Sequence, residues 1–208
     1  MGGHAFHLYT PRISRELYLQ IKQQCMKQLH QLFTHVTVPT EMPSKTDYGD
    51  VDFLVAGSLR LPSSSGPFDY PSHVSAIKAL FHTRHGFRGH KEKQVMYFAI
   101  PAPGREGEFF IQVDVKVCED MDRWVWECFE LYYASAAKML GSMIKPLGLT
   151  TNPDGLFLRV DGLDKVNAEK SMVFLTREPK DVLRVVGLDR RILSAGFREN
   201  DECELCWV

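Results

Sequence analysis

The chain has 208 residues, 44% of them hydrophobic and 25% charged, with a formal net charge of −1. This is ordinary globular material, sufficient for one domain with a buried core, or one domain and a small appendage. Near-neutrality excludes a strong overall field for nucleic acid, so any such partner must meet a local patch.

In chain order, residues 14–36 read as an amphipathic helix. Ile13, Leu17, Ile21, Cys25, Leu29, Leu32 and Val36 recur at three- and four-residue spacing. Ser14 suits the N-cap, Glu16 favours the first turn, and Ile13 with Tyr18 suits a hydrophobic staple. Pro39 and Pro43 bar continuation. His30 and His35, near the expected helix end, read as surface or dipole-satisfying residues rather than ligands. An acidic strand follows over residues 50–57. Residues 60–71 carry three Pro and three consecutive Ser, and form a loop. Residues 72–82 predict a second helix capped by Ser72. Residues 82–93 are basic. The plain reading is a solvated loop. The sharper reading is a phosphate or nucleic-acid patch built from Arg84, Arg88, Lys91 and Lys93, kept mobile by Gly86 and Gly89 so that it can close on a flexible backbone.

Residues 94–100 and 109–118 predict the two strands of a hairpin. Residues 122–144 predict a long helix with Val125, Phe129, Tyr132, Ala136, Leu140 and Met143 on one face. Trp124, Trp126 and Tyr133 read as core rather than as stacking platforms. Pro146 and Gly148 end that helix. Residues 156–160 and 172–176 suit short strands around an acidic turn, 161–164, whose spacing is not that of a calcium loop. Residues 179–187 suit a helix with Pro179 at its first position. The expected architecture is α+β, a small mixed β-sheet with helices packed on it. Residues 1–120 are the expected core, and 121–208 a helical and mixed extension packed on it.

Five cysteines, an odd number, argue for a reducing compartment. Cys203 and Cys206 alone have metal spacing, without a second pair to complete a zinc site. No apolar run is long enough to cross a bilayer, and neither end fits a lipidation pattern. The expectation is a soluble protein of cytoplasm or nucleus, with no membrane partner.

The chemistry is concentrated in Asp47-Tyr-Gly-Asp50-Val-Asp52, which runs straight into Phe-Leu-Val. On a strand, Asp50 and Asp52 share a face about 7 Å apart. Gly49 lets the backbone turn tightly into that strand. Like charges this close need something positive between them, and the natural guest is a hard divalent cation, Mg²⁺ or Mn²⁺. In the later strand, strict alternation puts Phe110, Gln112, Asp114 and Lys116 on one face. Asp114 sits among valines, where an unpaired charge is expensive. Pairing the two acidic strands would bring Asp114 against Asp50 and Asp52, a set able to hold two metals for in-line phosphoryl displacement. The plain alternatives are an Asx turn at Asp47, Asp50 as a cap at the strand start, Lys45 as counter-ion to Asp47, and Lys116 as counter-ion to Asp114. No zinc-protease, nucleophile-elbow or P-loop motif occurs. A glycosyltransferase Asp-x-Asp would leave Asp114 unexplained.

An Asp-x-Asp strand preceded by Gly, with a third Asp alone on a later strand, resembles the nucleotidyltransferase superfamily of DNA polymerase beta. The approach Pro43-Ser-Lys-Thr-Asp-Tyr-Gly-Asp-Val-Asp52 and the opening Gly2-Gly-His-Ala-Phe6, with Arg12 and Tyr18, look closer to a group found in phages, large DNA viruses and fungi. The resemblance implies transfer of a nucleoside monophosphate from an NTP to an acceptor hydroxyl, RNA or single-stranded DNA among the possibilities. Asp50 and Asp52 would ligate both metals. Asp114 would hold the catalytic one and help deprotonate the hydroxyl. The superfamily also carries a Gly-Ser pair ahead of the Asp-x-Asp that grips the triphosphate. Here Gly57-Ser58 follows the strand instead, and Ser44 and Lys45 are the nearest substitutes. That departure keeps open a catalytically inactive nucleotide-binding or scaffold protein.

Overall fold

The computed structural model describes residues 3–59, 67–118, 120–163, 165, 167 and 170–187, without the side chains of 133–139. The chain divides into two compact units. One is Met1–Val38 with Lys45–Asp120, the other Pro39–Ser44 with Met121–Val208. Cys203, Cys206, the acidic terminus, Asp164 and most of the Pro/Ser loop lie outside the described residues.

In the first unit, β1 (Ile13–Ser14) leads into α1 (Arg15–Leu29). Ser14 caps the helix as its sequence predicts, its Oγ accepting from the Leu17 N–H at 3.4 Å. The helix stops at Leu29, well short of residue 36, and Phe33–Thr37 forms β2 instead. Helical spacing at Leu29, Leu32 and Val36 was misleading, because Phe-Thr-His-Val-Thr is also strand material. Pairing with the next long strand decides for the strand. After β3 (Asp47–Tyr48) comes β4 (Asp50–Ser58), with Val51, Phe53, Leu54, Val55 and Ala56 all buried.

Next is α2 (Tyr70–Leu80). Its cap is Asp69, not Ser72: the Asp69 carboxylate accepts from the Ser72 N–H at 3.1 Å, so the helix begins two residues ahead of the expected start. Part of the basic stretch is a strand. His85–Arg88 forms β5, paired antiparallel with β6 (Val95–Pro101). Gly86 is there for close approach, since a Cβ would strike the Phe98 ring. The hairpin closes with β7 (Phe110–Val117).

Five strands form one mixed sheet in the order β2-β4-β7-β6-β5, with β4 and β7 parallel and the other neighbours antiparallel. Alternation divides the sheet's residues. Val51, Phe53, Val55, Met96, Phe98, Val113 and Val115 join Ile21, Cys25 and Leu29 of α1 and Ile77 of α2 in one core. Each fully buried aliphatic side chain there contributes about 1.5–3 kcal/mol. Asp50, Asp52, Gln112, Asp114 and Tyr97 alternate onto the opposite face.

The second unit holds α3 (Met121–Ile144), β8 (Leu149–Asn152), β9 (Gly155–Arg159), β10 (Met172–Thr176) and α4 (Pro179–Val185). The three strands form an antiparallel sheet in the order β10-β9-β8. Its core is Trp126, Phe129, Leu140, Ile144, Leu156, Val182 and Leu183. The buried face of α3 is therefore rotated from the expected one, and Val125 and Met143 are exposed. Trp126 decides this: fully buried, it donates its indole N–H to the Asn152 carbonyl at 3.0 Å. Strand β8 carried no clear sequence signal. Pro179 does open α4. Among the described residues no helix is long and apolar enough to cross a membrane.

Candidate functional site

The acidic strand is anchored before it begins. Strand β3 pairs with β1, Tyr48 opposite Ile13. Asp47 is committed to Arg12, whose Nε donates to its Oδ1 at 2.9 Å while Nη2 reaches both Oδ1 and the Asp47 carbonyl. That guanidinium holds the Asp47 carboxyl below the usual carboxylate range. Gly49 is the bend between β3 and β4, and its carbonyl accepts the Gly3 N–H at 3.0 Å.

Beyond the bend, register decides the arrangement. Asp50 lies opposite Gln112, and Asp52 lies directly opposite Asp114, on the parallel strands β4 and β7. Neighbouring strands are about 4.8 Å apart, and positions two apart on one strand about 7 Å. Across the hairpin, Tyr97 lies opposite Asp114. Asp52 is exposed although the apolar run Phe-Leu-Val follows it at once, because it points away from the helix-covered face. Asp50 and Asp114 are half-buried.

Burial, with Asp52 as the next cause, raises the Asp114 carboxyl well above the ordinary range; Asp50 and Glu92 add to this, and a hydrogen bond from Gln112 opposes it. Tyr97 donates its hydroxyl to Glu92 Oε2 at 3.1 Å. Burial first, then this bond, push its phenol up to about 12, and Asp114 and Asp52 contribute. A face that resists a further negative charge is one where a cation would be welcome.

The donor set is hard oxygen throughout, as Mg²⁺ or Mn²⁺ requires. It is not a preformed cage. Among the described residues no group of three or more His, Cys, Asp or Glu side chains is gathered closely enough to hold an ion as it stands. A cation would have to draw the three carboxylates together by side-chain rotation.

The other expected site residues fall differently. Lys45 places its ammonium 4.8 Å from the Tyr48 ring centroid, and the Tyr48 hydroxyl donates to the Lys45 carbonyl. Ser44 belongs to the other compact unit. The basic residues Arg84, Arg88, Lys91 and Lys93 are all exposed. Strand β5 separates Arg84 from Lys91 and Lys93. Arg88 lies 3.7 Å from the Tyr70 ring centroid and donates to the Lys93 carbonyl at 2.6 Å. Sequence reasoning missed Gln112 and Tyr97 as neighbours of Asp114. Alternation already put Gln112 on the Asp114 face, but neutral side chains drew no attention.

No family model matches the chain, and no curated protein matches it. Its fold is shared with solved complexes of polymerase beta from Leishmania infantum. The ternary P/T complex aligns with a TM-score of 0.58 and 12% identity, over 87% of this chain and 75% of that one. The ternary gap complex aligns with a TM-score of 0.59 and 12% identity, over 86% and 68%. At this identity the likeness is one of fold: an α+β architecture whose five-stranded mixed sheet carries packed helices.

Proposed function

We propose that the protein is a metal-dependent nucleotidyltransferase, moving a nucleoside monophosphate from an NTP to an acceptor hydroxyl with release of pyrophosphate. One observation carries the reading: Asp52 lies opposite Asp114 on parallel strands, with Asp50 on the same face, in a polymerase-beta-like sheet. Asp50, Asp52 and Asp114 would hold Mg²⁺ or Mn²⁺. When bound, such ions supply charge neutralisation and Lewis acidity at the phosphates. The carboxylates would orient the reacting groups, and Asp114 would take the proton of the acceptor hydroxyl. Most of the rate gain then comes from positioning and electrostatics. The closer likeness to phage, viral and fungal proteins rests on sequence motifs alone.

The test is direct. The protein is incubated with each α-labelled NTP, Mg²⁺ or Mn²⁺, and an RNA or single-stranded DNA oligonucleotide. Labelled acceptor and pyrophosphate should appear, and Asp52→Asn and Asp114→Asn should remove both. Retained transfer in either variant would falsify the assignment.

A second reading, a nucleotide sensor or scaffold on the same fold, is favoured by the missing Gly-Ser pair ahead of Asp50 and by the placement of Lys45 over Tyr48. Thermal shift separates the cases, because a ligand at 100 times its Kd adds about 2.7 kcal/mol. A shift without pyrophosphate release marks a sensor. No shift with any NTP and metal marks a scaffold.

A further inference from the structure

The opening segment of the chain bears on Asp114 through one side chain. Gln112 is 4% exposed and lies two residues before Asp114 on the same face. Its Oε1 accepts the Ala5 backbone N–H at 2.9 Å, and its Nε2 donates to Asp114 Oδ1 at 2.9 Å. The amide orientation is not arbitrary. A backbone N–H only donates, so the carboxamide oxygen must face Ala5 and the NH₂ must face Asp114. The segment that supplies this N–H is itself held in place. Gly3 donates to the Gly49 carbonyl at 3.0 Å, and its own carbonyl accepts from Thr10 Oγ1 at 2.6 Å. Tyr9 accepts from the Phe110 N–H at 2.9 Å, tying the segment to the start of β7. A side chain at position 3 would run into Gln112 Cβ, Cδ and Oε1. Only glycine leaves the Gln112 side chain where it is.

Resting on the nucleotidyltransferase reading, we propose that Gln112 is a positioning residue for Asp114, and that Gly3 and Ala5 set its orientation. Occupying Oδ1 fixes the Asp114 carboxylate plane and leaves Oδ2 to face a cation held with Asp52. A strand Asp opposite another Asp would otherwise rotate away from it. This gives the opening Gly-His-Ala a physical role: it is a strap that locks the hydrogen-bond partner of Asp114.

The test uses two variants far apart in sequence. Gln112→Met keeps the side-chain volume and removes both hydrogen bonds, so the fold should persist. Gly3→Ala leaves the amide chemistry intact and displaces it. Mn²⁺ affinity is read by electron paramagnetic resonance in the presence of NTP, and kcat and KM by steady-state transfer. Each variant should weaken Mn²⁺ binding and lower kcat by about 10- to 100-fold, the usual effect of losing an outer-shell partner, with KM for NTP unchanged. Because both act through one contact, the double variant should be no worse than the more severe single variant. If both singles bind Mn²⁺ and turn over as the parent does, or if their losses multiply, Gln112 has no such role while the nucleotidyltransferase reading stands. If the parent binds Mn²⁺ no better than Asp114→Asn, the reading itself fails and the positioning role fails with it.

Discussion

Tyr18 and Tyr48 stack nearly parallel, ring centroids 3.8 Å apart and planes 14° from parallel. One ring belongs to α1 and the other to β3, so the contact fixes the approach to Gly49 and Asp50 from the helix side of the sheet. Both rings are buried. Removing one leaves a cavity beneath the acidic turn. Tyr18→Ala is expected to cost about 3 kcal/mol, read as a lower urea midpoint with an unchanged slope. Tyr18→Phe keeps the stack and should lose much less.

Of the three carboxylates, Asp114 is the one whose charged form the fold disfavours. The folded state favours a neutral Asp114, since its carboxyl is raised by burial and by Asp52 and Asp50. A raised folded-state value means that this group favours folding at low pH, and that the benefit disappears as pH rises through that value. At pH 8 with EDTA, Asp114→Asn should therefore melt a few degrees higher than the parent, while transfer is abolished. Mg²⁺ with NTP should raise the parent's melting temperature and leave the variant's unchanged. A variant that melts lower than the parent in EDTA would show that Asp114 is held by a favourable partner such as Lys116.

Much of this was legible in the sequence, and the gaps have physical causes. Alternation in Phe110–Val117 fixed which side chains join Asp114, and the apolar run after Asp52 fixed β4. What remained hidden depended on partners distant in sequence. Helix spacing could not show that residues 33–37 leave the helix, because their strand character is realised only against Val55 and Ser58. Charge in residues 82–93 pointed to a loop, whereas the edge of the sheet and the lack of a Cβ at Gly86 make part of it a strand. The contact between Ala5 and Gln112 spans 107 positions, and no local pattern announces it.

Cys25 reports on the core beneath the sheet. It is fully buried in α1, and burial pushes its thiol up to about 12. The folded state thus favours the protonated thiol. That contribution is complete below the unfolded-state value and fades as pH rises from there towards 12. At pH 8 Cys25 should resist Ellman's reagent in the native protein and react on unfolding in urea, at a rate set by opening rather than by reagent. Fast native labelling of Cys25 would contradict the packing of α1 on the sheet.

The acceptor prediction follows from how β5 divides the basic residues. If RNA or single-stranded DNA docks beside Asp114, exposed Arg84, Lys91 and Lys93 are free to contribute in a way that Arg88 is not, because Arg88 is engaged with Tyr70 and the Lys93 carbonyl. Three phosphate contacts on a single strand give a slope of log affinity against log salt of about −2. Replacing Arg84, Lys91 and Lys93 by Ala should flatten that slope and leave NTP binding intact. Arg88→Ala should leave the slope almost unchanged and instead lower stability by about 0.5–1 kcal/mol, the loss of an exposed cation–π contact. Fluorescence anisotropy with a labelled oligonucleotide across a salt series distinguishes the two. If the triple variant binds as the parent does, or if the parent binds no oligonucleotide at low salt, the acceptor is not a nucleic acid held by these residues.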